Sequence, residues 1–223
     1  MVVKLELLKT AGYFTKLDEA SLLAISRFIF TKQVAAGKVV LWEGEVDEAI
    51  YFVISGQLKL FATSAEGREF IVRIVYGGDS INDDSAFAAE PSMLTAMTLS
   101  PVLLYGVRKS DLAKILRDYP LVSLNMTQVL AVRQRYLVQL ATGLVFKNVT
   151  GRLARLLLER EKLVLSGTEN GRITQQEMAA MIGTVREIVS RSLRELEAMK
   201  AINMKHNQII IANHDRLLEL SRL

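Results

Sequence analysis

Residues 173–196 read ITQQEMAAMIGTVREIVSRSLREL, two helix-start signals with a single glycine between them. Thr174 followed by Glu177 has the form of a capping box, in which the threonine oxygen accepts a backbone N–H of the first turn and the glutamate returns a bond. The apolar group Met178 to Ile182 follows, and Gly183 can end the helix in the left-handed region open to glycine. Thr184 and Glu187 then repeat the box and open a second helix, in which Val185, Val189, Leu193 and Leu196 recur at intervals of 4, 4 and 3. A short helix, a glycine turn and a second amphipathic helix predict a helix-turn-helix.

Opposite that apolar stripe stand Arg186, Glu187, Ser190, Arg191 and Arg194. Arginine suits guanine O6 and N7, glutamate suits cytosine N4, and serine suits several base edges, so this face can read a major groove. A solvated charged face would look the same, with Glu187 merely capping Thr184 and Arg191 pairing with Glu187 or Glu195. Downstream, Ala201–Met204 and Gln208–Ile211 flank a Lys205-His206-Asn207 turn and predict a hairpin wing.

Upstream lies a helical pattern. Ser110 is placed to cap a short helix through Leu116, and beyond Pro120 one apolar row runs Met126, Leu130, Arg133, Leu137, Leu140, Leu144. A second runs Val122, Met126, Val129, Arg133, Tyr136, Leu140. Two adjoining rows exceed what one seam needs, so the helix is expected to pack on its own domain and also on a second copy of itself, with Val122, Met126, Val129, Arg133, Leu137 and Leu140 at the homodimer interface. A buried helix in a monomer would show the same periodicity. Some 26 residues would extend about 39 Å.

Between Lys38 and Val107 the pattern changes to short apolar or alternating runs, Val39–Trp42, Ile50–Ile54, Leu58–Phe61, Phe70–Val75 and Val102–Tyr105, separated by glycines. Such spacing predicts an antiparallel jelly roll, because a parallel sheet would need helices between its strands. The fold class expected is therefore α+β. A β-roll sensor domain occupies 1–118, a dimerisation helix 119–146 and a winged helix-turn-helix DNA-binding domain 147–223.

Composition narrows the chemistry. The chain of 223 residues has no cysteine, and its two histidines are His206 and His214. Thiolate catalysis, disulfides and cysteine-held clusters are excluded, and no haem, iron–sulfur cluster or other metal site is expected. No nucleophile–base pair suggests an enzyme. The N-terminus lacks a secretion pattern, and the uncharged stretch Tyr119–Val132 is too short to span a bilayer, so a cytoplasmic protein away from membranes is expected. Lys and Arg balance Asp and Glu at 15 each up to Phe146, but number 13 against 9 from Lys147 onward. The excess sits on the segment expected to meet a polyanion.

With these motifs in place, the chain resembles the CRP/FNR family of bacterial transcription regulators over nearly its whole length. The likeness is strongest across Ile173–Ala179 and Ile182–Arg191, and extends to Gly151–Leu158 and to Leu41–Glu45, Ile50–Gly56 and Gly67–Glu69 in the roll. It implies an effector-binding roll, a dimer helix and a winged helix that binds palindromic double-stranded DNA, with RNA polymerase as a further partner. Thr174, Gln175, Arg186, Glu187, Ser190, Arg191 and Arg194 then fall at DNA-contacting positions, and the half-site would share the family's TGA core.

The departures concern the effector. Cyclic-nucleotide-binding members carry a glutamate for the ribose and an arginine for the phosphate; here the matching stretches are Gly78–Ser85 and Pro91–Ala96, with Ser92 in the arginine's place. Asp83 and Asp84 add negative charge where a phosphate would lie. Cyclic AMP is therefore not the expected effector. The cysteines of oxygen sensors and the sensor-domain histidine of carbon monoxide sensors are missing too. A small organic effector of unknown identity, lined by Ile81, Asn82, Phe87, Met93, Met97, Met126 and Leu130, remains if an effector exists, although each taken singly reads first as an ordinary core residue. Two alternatives stay open: a regulator needing no effector, and a ligand-binding module that has lost DNA binding.

Overall fold

The computed structural model describes residues 3–88, 90–165, 173–205 and 208–222. They form two compact units, one running to residue 62 and resuming over 72–135, the other taking 63–71 and 136 onward. The division thus falls within the long helix rather than at 118 or 146, and one hairpin tip groups with the C-terminal unit.

The first unit opens with α1 (Leu5–Leu8), a 3-10 turn (Gly12–Phe14) and α2 (Glu19–Ser26). The roll follows as β1 (Ile29–Val34), β2 (Val39–Leu41), β3 (Ala49–Ser55), β4 (Leu58–Thr63), β5 (Glu69–Val75), β6 (Ser80–Ile81), α3 (Asp83–Ala88), β7 (Thr95–Thr98) and β8 (Val102–Arg108). Its strands make two four-stranded sheets, ordered β1-β8-β3-β6 and β2-β7-β4-β5. The paired registers are antiparallel, with Tyr105 opposite both Thr31 and Phe52. Ala49 to Ile54 are all buried, which is why β3 reads as a continuous apolar run without alternation. At Gly106 a Cβ would stand 2.2 Å from the Phe30 ring, so glycine lets that ring lie against β8. Tyr13 and Phe14 pack edge-on against Phe52 with centroids 5.2 and 4.8 Å away, fastening the N-terminal segment to the roll.

Two helices leave the roll, α4 (Lys109–Asp118) and α5 (Pro120–Phe146). Ser110 lies inside α4, whose N-cap is Arg108 and makes no side-chain cap, so the expected serine cap does not form. On α5, Val122 is fully buried in the roll's own core, and Met126 and Val129 pack against the same cluster. That burial contributes about 1.5–3 kcal/mol for the valine. Val122, fully enclosed, is thereby withdrawn from the expected interface, while Met126 and Val129 are half-buried, Leu137 is 44% exposed and Leu140 half-buried. Leu124 and Val132 are the exposed apolar side chains of this part of the helix.

The second unit holds the end of α5, then α6 (Val149–Leu165), α7 (Gln175–Ile182), α8 (Arg186–Ala198), β9 (Ile202–Lys205), β10 (Gln208–Ile211) and α9 (His214–Leu220). Its core joins Leu153, Leu157, Met178, Ile182, Val189, Leu193, Leu196, Ile202 and Leu217. The hairpin β9–β10 is antiparallel, with Gln208 opposite Lys205 and Ile211 opposite Ile202; positions 206 and 207 of the expected turn lie outside the described residues. Among the described residues no helix is long and apolar enough to cross a membrane, and no cluster of His, Asp and Glu could hold a metal ion.

Candidate nucleic-acid interface

Helix α7 begins as its sequence dictates. Thr174 Oγ1 accepts the Glu177 N–H at 3.1 Å, and Glu177 Oε2 accepts the Thr174 N–H at 2.7 Å, completing the capping box. It ends at Gly183, with φ +66° and ψ 50°, and the Thr184 N–H turns back to the Ala179 carbonyl at 3.0 Å. That bond decides the next helix. Thr184 is held to α7, so the second expected capping box is absent and Val185 is the N-cap of α8, without a side-chain bond. The Arg152 guanidinium braces the turn by donating to the Ile182 carbonyl at 2.8 Å and the Lys147 carbonyl at 2.7 Å.

Helix α8 buries Val189, Leu193 and Leu196, while Val185, first in the expected stripe, stays 37% exposed at the helix start. Facing outward are Arg186, Glu187, Arg191 and Arg194, with Ser190 half-buried. Arg194 donates to Ser190 Oγ at 3.3 Å. Among the described residues no ion pair engages Arg186, Glu187 or Arg191; Glu195, a possible partner for Arg191, instead accepts the Thr150 hydroxyl at 2.7 Å. Thr174 is exposed and Gln175 half-buried at the α7 start, on the same motif. An open face of arginine, glutamate and serine on a helix held by its opposite side can meet base edges and phosphates.

The residues expected around an effector are not gathered into one site. Ile81 belongs to one core cluster of the roll and Met126 packs on another. Phe87 is 41% and Met93 72% exposed, Met97 lies in β7 opposite Val39 and Lys59, and Leu130 is half-buried on α5. Asn82 turns its amide inward to the Asp47 and Ala49 carbonyls at 3.0 and 2.8 Å. Ser92 is buried and donates to the Leu94 carbonyl at 2.9 Å, a bond within its own turn.

What sequence reasoning missed is an ion network in that stretch. Arg133 reaches Asp83 Oδ2 at 2.5 Å, and the Ser80 carbonyl and hydroxyl at 3.2 and 3.0 Å. Asp83 also accepts from the Tyr13 hydroxyl, and from Ser80 Oγ at 2.8 Å. Arg73 donates to the Ser80 carbonyl at 3.0 Å and lies 3.6 Å from Asp79. Burial is the largest single influence and pulls the Arg133 pKa down, but the Asp83 charge, the Asp83 hydrogen bond and the lesser pull of Tyr13 and Asp79 together outweigh it and hold the guanidinium above its ordinary value. Burial and then Asp83 push the Tyr13 hydroxyl well up. Asn82 Oδ1, Ser85 Oγ and Arg133 Nε are buried without a partner among the described residues. Arg133 thus faces the roll rather than a second helix; a charged residue on an apolar row was the available signal.

A winged helix-turn-helix and a double-sheet roll, linked through α5, make up an architecture that DNA-binding transcription regulators use. Comparison with known proteins agrees: residues 31–119 match the cyclic nucleotide-binding domain and 151–220 the Crp-like helix-turn-helix domain. The chain is 27% identical to the CRP-like cAMP-activated global transcriptional regulator of Mycobacterium tuberculosis, over 97% of this chain and 99% of that one. It is 30% identical to the cyclic AMP receptor protein of Thermus thermophilus, over 72% of this chain and 73% of that one. Among solved structures, a transcriptional regulator assigned to the crp/fnr family from Eubacterium rectale superposes with a TM-score of 0.73 at 26% identity, covering 95% of this chain and all of that one. The chain belongs to the CRP/FNR family of transcription regulators.

Proposed function

We propose that the protein acts as a homodimer that binds a two-fold symmetric promoter site, each copy placing α8 in the major groove. The observation that carries this reading is the exposed face of Arg186, Glu187 and Arg191, without an ion pair among the described residues, on a helix anchored by Val189, Leu193 and Leu196. The exposed apolar side chains Leu124 and Val132 in the first unit, and Val138, Val145 and Phe146 in the second, supply surface for the second copy. Half-sites would then lie one helical turn apart, about 34–36 Å. RNA polymerase is the partner such a regulator addresses at a promoter.

The two relatives above are named for cyclic AMP, but the residues here do not fit that ligand. Ser92 offers a hydroxyl in place of a guanidinium and spends it on its own turn. An anion would also compete with Asp83 for Arg133. A small-molecule modulator, where one acts, is of another class. Regulation with no small molecule is the second reading, favoured by the engagement of Arg133 and Asp83 with each other.

The test is binding of purified protein to a selected duplex, followed by fluorescence anisotropy, with Glu187→Ala and Arg191→Ala alongside. Base-specific loss in the variants supports the regulator. Indistinguishable, weak and sequence-independent binding by all three proteins would instead favour a module that has lost DNA recognition.

A further inference from the structure

The network around Asp83 joins three distant parts of the chain: Tyr13 near the start, Ser80 and Asp83 in the roll, and Arg133 on α5. We propose that it is a built-in substitute for an effector, a latch that fixes α5 on the roll so that the regulator binds DNA with no small molecule bound. This rests on the DNA-binding reading above and deepens its second form.

Three observations carry it. First, its charges are matched in sign: Arg133 faces Asp83 through its terminal nitrogens, Arg73 faces Asp79, and Tyr13 contributes a neutral hydroxyl. An entering anion would have to displace a carboxylate that is 3% exposed and already bonded to three side chains. Second, Ser80 and Asp83 lie within residues 31–119, the part of the chain that matches the cyclic nucleotide-binding domain. Asn82 there gives its amide to the Asp47 and Ala49 carbonyls, closing the segment onto β3. Third, a buried ion pair adds little net stability over a packed apolar pair, yet breaking it is costly and its directional bonds admit one geometry. Such a pair is suited to specifying where a helix sits.

The test uses full-length protein, dialysed and shown by native mass spectrometry to carry no small molecule, with Arg133→Met, Asp83→Asn and the paired Asp83→Leu/Arg133→Met. Arg133→Met should lower the melting temperature by on the order of 10 °C, and the paired apolar variant should recover at least half of that. At 20 °C, with folding verified by circular dichroism, hydrogen exchange over 126–135 should quicken at least tenfold in Arg133→Met while 186–198 stays protected. Ligand-free affinity for the selected duplex should fall at least tenfold. Asp83→Asn, which keeps the shape and an acceptor oxygen for Tyr13 and Ser80 but removes the charge and the oxygen that Arg133 uses, should give the same changes should Arg133→Met fail to fold.

Unchanged exchange over 126–135 in the variants overturns the latch. Wild-type protein that binds the duplex only after addition of a small molecule, or that retains one on purification, overturns the substitution for an effector. Wild-type protein that binds no DNA sinks the regulator reading and with it the proposed role in DNA binding, while the exchange data still decide whether the network holds the helix.

Discussion

The same substitution at two glycines should move stability in opposite directions. Gly183 has φ +66°, and an alanine Cβ there would stand 2.9 Å from Leu144 Cδ2. The left-handed conformation costs alanine roughly 1–2 kcal/mol, offset in part by about 0.4–1 kcal/mol from a less flexible unfolded chain. Leu144 is touched at the end of a flexible side chain and can yield, so the contact adds little. The net loss is about 1 kcal/mol, or a melting temperature roughly 2–4 °C lower. Gly143 lies inside α5, and a Cβ there meets nothing within 4 Å. Alanine should gain about 1 kcal/mol by helix propensity and melt roughly 2–4 °C higher. Differential scanning calorimetry of the two variants beside the wild type checks the pair. If Gly183→Ala melts at or above the wild type, the reading of the turn between α7 and α8 is wrong; if Gly143→Ala melts below it, the reading of that position in α5 as open is wrong.

Other expectations follow from the same contacts. Thr174→Ala removes the oxygen that accepts the Glu177 N–H and should cost about 1 kcal/mol in denaturant titration. Leu193→Ala empties a fully packed position of the second unit and should cost about 2–5 kcal/mol, measured the same way. Arg191→Ala should lose about 1–3 kcal/mol of affinity at one base pair and relax the preference there, seen by titrating single-base variants of the site; a loss equal for every sequence would make it a phosphate contact. Tyr13 has a raised pKa, so the folded state keeps its proton longer than the unfolded state and stability falls as pH rises above the ordinary tyrosine value. Tyr13→Phe should therefore show a shallower alkaline decline than the wild type in thermal melts between about pH 9.5 and 11.

The helix-turn-helix was legible because its signals are local: one capping box, one left-handed glycine and an apolar stripe of period 3.6 each act within a few residues. The roll was legible for a similar reason, its strands being short and punctuated. Thr184 misled because a threonine three residues before a glutamate has the form of a cap, whereas its N–H was already claimed by Ala179. Val122 misled because periodicity gives the angular position of an apolar face but not how completely its own domain encloses it. Arg133 and Asp83 are 50 residues apart, and nothing local to either announces the other. Asp83 and Asp84 looked alike in the sequence, yet one is buried in an ion pair and the other exposed, so the repulsion of an anion works through competition for Arg133 rather than through two bare carboxylates.

The most direct measurement is selection of bound duplexes from random DNA by the purified protein, carried out with and without cyclic AMP. The predicted result is enrichment of one two-fold symmetric site, half-site centres about 34–36 Å apart, to the same degree in both selections. Enrichment that requires the nucleotide would contradict the reading of Ser92 and Arg133, and the absence of any symmetric site would contradict the assignment of α8 as the reading helix.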